Sequence, residues 1–451
     1  MKTRVTEETR LNYKADQWFF NKEVLGSILL MLASVSAIIL ANSVFAKDYE
    51  HWLHLEISLS IGHYSISHSV LHWVNDGLMA LFFFTVGLEI KREILVGELS
   101  SLKMALLPVI AAVGGMLVPG LIYVMFNYGK PGLSGWGIPV ATDIAFSLGA
   151  IALLGRRLPI GLRVFLTAFA IADDLGAVLI IALFYTKAIA MPYLIAGVVC
   201  VLIMLIGNLL SIRWLPFYIV LGLGTWTFIM GSGVHATIAG VVVAMLIPAR
   251  GKHDMIRFVK RIRRIVDNIS THRYTDGYWY SIFLKPEHLN AVHAIELSCH
   301  QVSTPLQRLE HALHTWVVFI ILPLFAFFNA GLSFEQMPLS DAFANSITIG
   351  CVLGLFIGKP LGIGIASYIA VRCGVATLPD QVRWVHIIGA GMLGGIGFTM
   401  SLFISGLSFA DAQFLNYSKL GVLSGSILSA ISGLILLSIS GYRLKNDPEE
   451  E

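Results

Sequence analysis

The chain reads as an all-α polytopic membrane protein with twelve membrane-spanning helices, and three observations carry that reading. Of its 451 residues, 56% are hydrophobic and only 13% charged, beyond the apolar share of a water-soluble domain. Apolar runs long enough to cross about 30 Å of hydrocarbon recur along it. Its 31 lysines and arginines fall almost wholly between alternate runs.

The runs lie near 24–45, 70–90, 104–126, 136–154, 160–185, 193–211, 215–230, 233–248, 313–333, 346–370, 386–407 and 420–441. With the amino terminus inside, 26 cations lie on the inner side and four, Lys47, Lys130, Lys187 and Lys419, on the outer. Such a bias orients both termini toward the cytoplasm. The remaining cation, Lys359, sits in the middle of the tenth run. The expected organisation is an inner segment 1–23, eight spans over 24–248, an extended basic inner loop 249–312, four spans over 313–441 and an inner tail 442–451.

Residues 1–23 carry Lys2, Arg4, Arg10, Lys14 and Lys22, as a signal peptide would, but the run of about 22 apolar residues that follows is too long for an h-region. The first run is therefore read as an uncleaved helix. After it, Leu55, Ile57, Leu59 and Ile61 alternate with Glu56, Ser58 and Ser60, followed by Gly62-His63 and then Tyr64 and Ile66. This period of two predicts a small outer β-hairpin at about 54–67, which is marginal alone and needs a second copy or its own membrane domain as partner.

The inner loop opens with Arg250, Lys252, Arg257, Lys260, Arg261, Arg263 and Arg264. That cluster fits contact with anionic inner-leaflet lipid and a solvated basic loop equally well. Further along, His293, Glu296 and His300 share a helical face near Cys299, which suggests a metal site, although one face of any amphipathic helix looks the same. The four cysteines have no paired spacing, so neither a disulfide framework nor a zinc motif is indicated. No nucleic-acid partner and no cofactor are expected.

Spans four and eleven are interrupted, by Gly137-Ile138-Pro139-Val140-Ala141-Thr142-Asp143 and by Gly394-Gly395-Ile396-Gly397-Phe398-Thr399. Spans three to five run opposite to spans ten to twelve, so the matching breaks predict two inverted three-helix repeats. Breaks at one depth leave unpaired amides and carbonyls there, with half-helix ends of about plus and minus half a charge. Asp143 suits the positive amino ends, and Lys359, in Gly358-Lys359-Pro360, suits the negative carboxyl ends.

Asp173 and Asp174 lie in the fifth run, about 13 residues in, or roughly 20 Å at 1.5 Å per residue. A carboxylate at that depth costs about 2.5–3.5 kcal/mol on insertion scales, so such acids mark ion or proton paths. Consecutive helical positions differ by about 100°, which predicts two roles: one acid facing Lys359, the other facing an ion. Carboxylate, the Thr142 hydroxyl and carbonyls at a break are the hard oxygen ligands that Na⁺ or Li⁺ needs. Burial and like charge both favour the neutral form of a carboxylic acid, so proton and cation compete for one site. A site that opens to one face at a time then produces antiport, and one cation against two protons moves one net charge.

A charged cluster closes the inner end of span two, with Glu89, Lys91, Arg92 and Glu93, and Asp76 earlier in the same run. Glu310, His311 and His314 begin span nine on the same side. They read either as a pH-responsive inner funnel or as an interfacial ion-pair belt. His235, in Gly231-Ser232-Gly233-Val234-His235, lies at the outer start of span eight, where it reads as solvated or pH-sensing.

The stretches Ala141-Thr142-Asp143-Ile144-Ala145-Phe146, Ala170-Ile171-Ala172-Asp173-Asp174-Leu175-Gly176-Ala177, Gly358-Lys359-Pro360-Leu361-Gly362 and Gly394-Gly395-Ile396-Gly397-Phe398-Thr399-Met400-Ser401 resemble those of the bacterial NhaA sodium/proton antiporters. The likeness covers about 24–248 and 304–441. It implies an electrogenic, pH-regulated antiporter of the bacterial inner membrane. Asp174 and Asp173 would carry cation and proton, Asp173 would pair with Lys359, and Asp143 with Thr142 would support two crossed, broken helices. It implies that Glu89, Arg92, Glu93, Glu310, His311, His314 and His235 serve the pH response, and that the outer hairpin joins a homodimer. The long segment between spans eight and nine, and Gln307 where a basic residue can occur, depart from compact members.

Two other classes compete. A sodium-coupled symporter of an organic anion would use similar broken helices but needs an amphipathic substrate cavity. An intramembrane protease would show Tyr-Asp with Gly-x-Gly-Asp, or His-Glu-x-x-His, and the chain has neither pattern. No enzymatic activity is expected.

Overall fold

The computed structural model describes residues 2–61, 64–155, 158–186, 189–249, 255–270, 286–334 and 339–446. The Gly62-His63 turn, Lys187, Arg250, Lys252 and the end of the tail lie outside them. Among the described residues, eight helical segments are long and apolar enough to cross a membrane: Lys22–Ala41, Leu102–Asn127, Pro131–Leu154, Ile160–Phe184, Met191–Leu209, Pro305–Asn329, Ser346–Arg372 and Ala412–Gly441. A ninth is the pair Trp384–Gly394 and Phe398–Ser408, bent by 45° at its break.

Three of the twelve expected spans fall short of that standard. Leu215–Gly231 and Ala236–Leu246 are apolar but short, and Met79–Val96 carries Glu89, Lys91, Arg92 and Glu93 in its last turns. The structure therefore shows a polytopic helical protein with eight to nine apolar crossings.

Two units repeat one order: a continuous helix, an interrupted one, a continuous one. The first runs through Leu102–Asn127, Pro131–Leu154 and Ile160–Phe184; the second through Ser346–Arg372, Trp384–Ser408 and Ala412–Asn446. Their leading helices touch closely, because Gly114 and Gly362 meet backbone to backbone: a Cβ on either would collide with the other's carbonyl. Such close approach of small residues is how helices associate where no hydrophobic drive separates them from lipid.

In the second unit, residues Gly354–Gly358 form one π-helical turn, closed by the Lys359 amide on the Gly354 carbonyl. The wider turn, followed by Pro360 without an amide hydrogen, resets the register so that Lys359 points inward with no exposed surface.

Outside the helices, Glu56–Ile61 pairs antiparallel with Tyr64–Ser69, Ile57 opposite His68 and Leu59 opposite Ile66. This is the expected hairpin. It is anchored at its base, where Val70 donates to the Leu55 carbonyl at 2.9 Å and Trp73 Nε1 to the Ile57 carbonyl at 3.2 Å. Nearby, Tyr49 donates to the Phe327 carbonyl at 2.6 Å. Burial pushes its phenol up, against a smaller lowering by its backbone hydrogen bond to Gly331.

The contact of Gly114 with Gly362 predicts a contrast. Gly362→Ala should lose about 1–3 kcal/mol in mixed-micelle unfolding, the usual cost of overpacking. Gly364→Ala, two residues on and with nothing within 4 Å of an added Cβ, should unfold as the parent does.

Candidate functional site

The two helix breaks meet, and each satisfies the other's backbone. At the second break the carbonyls left by the Trp384–Gly394 helix are taken from the first segment. Ser147 Oγ donates to Leu393 at 2.8 Å, Thr142 Oγ1 to Gly394 at 2.7 Å and the Asp143 amide to Ile396 at 2.6 Å. In return Ser401 Oγ donates to the Ile138 carbonyl at 2.7 Å.

Both half-helices that begin at the breaks share one cap. Asp143 Oδ1 accepts from the Phe146 amide at 3.1 Å, in the first turn of Ile144–Leu154. Its Oδ2 accepts from the Thr399 amide at 3.0 Å and the Thr399 hydroxyl at 2.5 Å, in the first turn of Phe398–Ser408. A carboxylate at a helix amino terminus is favoured by capping and by the dipole; here one carboxylate serves two helices. Ser426 Oγ accepts the remaining amides, Gly397 at 3.2 Å and Phe398 at 3.1 Å.

Lys359 approaches from the facing unit. Its ammonium donates to Asp173 Oδ2 at 2.8 Å and Oδ1 at 3.0 Å and to Thr142 Oγ1 at 2.9 Å. It also lies 5.8 Å from the centre of the Phe169 ring. Thr142 passes its own proton to Gly394, so Lys359 acts on the negative end of the broken helix through that hydroxyl. Both partners of the pair are fully buried.

Asp174 differs from its neighbour. It is equally buried, yet neither carboxylate oxygen has a hydrogen-bond partner. A buried charge without a partner is among the costliest arrangements in a protein. Asp174 therefore needs a proton or a cation, and its two oxygens are free to hold either.

Away from this centre, Arg92 gathers a second group of acids: Nη2 lies 3.1 Å from Glu93 and 3.9 Å from Glu89, and Nε lies 2.9 Å from Glu310. His314 Nε2 lies 3.3 Å from Glu23 Oε1, whereas His311 is exposed beside the cluster. Glu23 carries no signal in the sequence, because it stands among the charges that precede the first apolar run, next to Lys22.

At the opposite end from that group His235 is half-buried, its Nε2 2.8 Å from the Tyr185 carbonyl at the end of the aspartate helix. It borders a cavity of about 380 Å³ with Asn75 and Asp76, where Asp76 pairs with His72 at 3.1 Å. His293 lies 3.5 Å from Glu296; the His300 side chain lies outside those described, and among the described residues no group of three His, Cys, Asp or Glu side chains is placed to hold a metal ion.

The family model described as Na+/H+ antiporter 1 matches residues 17–437. Na(+)/H(+) antiporter NhaA 2 of Syntrophotalea carbinolica is 46% identical over 410 residues, 91% of this chain and 92% of its own. The Na(+)/H(+) antiporter NhaA of Acidithiobacillus ferrooxidans is 47% identical over 415 residues, 91% of this chain and 93% of its own. Among solved structures, the sodium proton antiporter MjNhaP1 of Methanocaldococcus jannaschii overlaps 96% of this chain and 98% of its own at 14% identity and a TM-score of 0.47, a likeness too distant to carry argument.

The Lys359–Asp173 pair predicts a double-mutant result. Lys359→Ala leaves Asp173 buried and unpaired and should lose about 3–5 kcal/mol in mixed-micelle unfolding. Lys359→Ala with Asp173→Asn should recover most of that loss, because no uncompensated charge remains.

Proposed function

The chain belongs to the Na+/H+ antiporter 1 family, and on that footing we propose that it is an electrogenic sodium(lithium)/proton antiporter of the bacterial inner membrane. One observation carries the assignment to residues: Asp174 is fully buried with both oxygens unpartnered, beside an Asp173 that Lys359 neutralises. The organic-anion symporter finds no support, since the relatives are named sodium/proton antiporters.

Asp174 is the shared site. Protonated, it is neutral and crosses; ionised, it offers two hard oxygens to a dehydrated Na⁺ or Li⁺, with Asp173, Thr142 and carbonyls of the breaks as further ligands. The metal ion is cargo, and the exchange needs no resident cofactor and no covalent chemistry. Asp173 leaves Lys359 when the cation arrives, takes a proton as Asp174 does when the cation departs, and rejoins Lys359 once that proton is released. Two protons then enter for each cation that leaves. One net charge moves inward per cycle, so the membrane potential contributes about 2.3 kcal/mol per 100 mV to export.

The three shorter or more charged helices, Met79–Val96, Leu215–Gly231 and Ala236–Leu246, complete twelve crossings. Counting them keeps 26 of the 31 cations inside, with both termini cytoplasmic. The pH response belongs to the inner group of Glu89, Arg92, Glu93, Glu310, His311 and His314, which ties Met79–Val96 to Pro305–Trp316 through Arg92 and Glu310, and to His235 at the outer end. The hairpin, whose two strands form a sheet of their own, is the surface for a homodimer because its free edges can pair.

In everted vesicles holding a proton gradient, Na⁺ or Li⁺ without any organic solute should dissipate the gradient. Asp174→Asn should cut that response at least a hundredfold while the protein still inserts at parental levels, since an amide neither releases a proton nor supplies charge. Gradient dissipation by inserted Asp174→Asn at the parental rate would sink the assignment.

A further inference from the structure

The inner insertion contains a surface that exchange does not use. Met255–Ser270, MIRFVKRIRRIVDNIS, is a helix packed on a second, Pro286–Val302. At about 100° per residue its apolar positions Phe258, Val259, Ile262, Ile265 and Val266 form one stripe, and its basic positions take the rest of the wheel, starting beside Val259 at Arg263. The stripe is wider than its neighbour covers. Phe258, Ile262 and Ile265 are half-buried, whereas Ile256, Val259 and Val266 remain 64%, 55% and 48% exposed.

On the wheel Arg263 falls between Val259 and Ile256, with Lys260 and then Arg264 beyond Ile256, and all three cations are exposed. The helix holds five cations and one acid, Asp267. An exposed apolar ridge bordered by cations is the pattern of a helix lying in a membrane interface, apolar side at the acyl boundary and cations at the phosphates. The insertion is also tethered on both sides to membrane helices, at Leu246 and Pro305, which keeps it within reach of one leaflet. We propose that the Ile256–Val259–Val266 ridge with Lys260, Arg263 and Arg264 is a binding surface for anionic phospholipid headgroups of the leaflet on its own side.

Charge complementarity selects this occupant over a second copy, whose identical basic face would repel. The binding is independent of the exchange site, so the failure of one reading leaves the other standing.

The test uses the full chain in nanodiscs of phosphatidylcholine alone and of phosphatidylcholine with 30% phosphatidylglycerol, read by hydrogen–deuterium exchange over 255–270. Amide exchange should slow at least fivefold in the anionic discs, and the slowing should fade between 0.1 and 0.5 M salt. Lys260→Glu/Arg263→Glu/Arg264→Glu should abolish the slowing while Na⁺/H⁺ exchange in phosphatidylcholine vesicles stays at the parental rate. Equal exchange in both discs, or slowing that survives the triple substitution, would overturn the proposal. Slowing that appears equally in phosphatidylcholine and scales with two copies per disc would assign the surface to a second chain instead.

Discussion

No backbone amide or carbonyl can be left unpaired where there is no water to take it, and the molecule is organised around two places that break that rule and repair it together. Each interruption exposes half-helix ends at a depth where lipid offers nothing. Neither break is tolerable alone. Crossed, they exchange partners: Ser147, Thr142 and the Asp143 amide for the carbonyls of Leu393, Gly394 and Ile396, and Ser401 for that of Ile138. Asp143 joins them, its two oxygens capping one half-helix each. The repair needs polar groups in the bilayer centre, and those groups make the depth habitable for Asp173, Asp174 and Lys359.

The two neighbouring aspartates are distinguished by what meets them. Asp173 and Lys359 form a neutral unit, held further by Thr142. Asp174 has no such compensation, so charge balance there depends on something that can leave. In the exchange proposed above this inequality is what permits transport: a site satisfied on every side would hold nothing, and a site with two bare carboxylates would be too costly to fold. The side chain that balances Asp173 is aimed by local backbone chemistry, one π-helical turn before it and Pro360 after it.

Much of this was legible in the sequence, for physical reasons that also mark its limits. Gly394-Gly395 and Gly137-Ile138-Pro139 disclose breaks because glycine and proline are poor in any continuous helix. The Asp173-Asp174 doublet stands out because carboxylates are costly within an apolar span, and the structure places both in the buried centre. Ser426, which takes two amides of the second break, was illegible: a serine that hydrogen-bonds within its own helix looks the same. The π-helical turn before Lys359 was illegible too, since Gly354–Gly358 reads as ordinary apolar helix. Gln307, which stood out as a departure, has a local meaning, closing a capping box with Thr304 at 3.1 and 3.3 Å that starts the Pro305–Trp316 helix. The count of spans was blurred by the same charges that make Met79–Val96 interesting.

The way the aspartate helix is held constrains how the site opens. Its carboxyl end is tied within the first unit and to one neighbour: the Tyr185 hydroxyl donates to the Ser134 carbonyl at 2.9 Å and accepts from the Gly137 amide at 3.3 Å, and the Tyr185 carbonyl meets His235. Near its middle it meets the second unit through the Asp173–Lys359 pair and through Phe169 against Gly394. In the proposed exchange, exposing Asp174 first to one side and then to the other requires that some contacts between the units change while others are kept. The exchangeable contact is the ionic pair, whose partners a cation or proton can replace. The hydrogen bonds of the crossed breaks have no such substitute in lipid, so they hold the two interrupted segments together as one pivot while Lys359 and Asp173 part and rejoin.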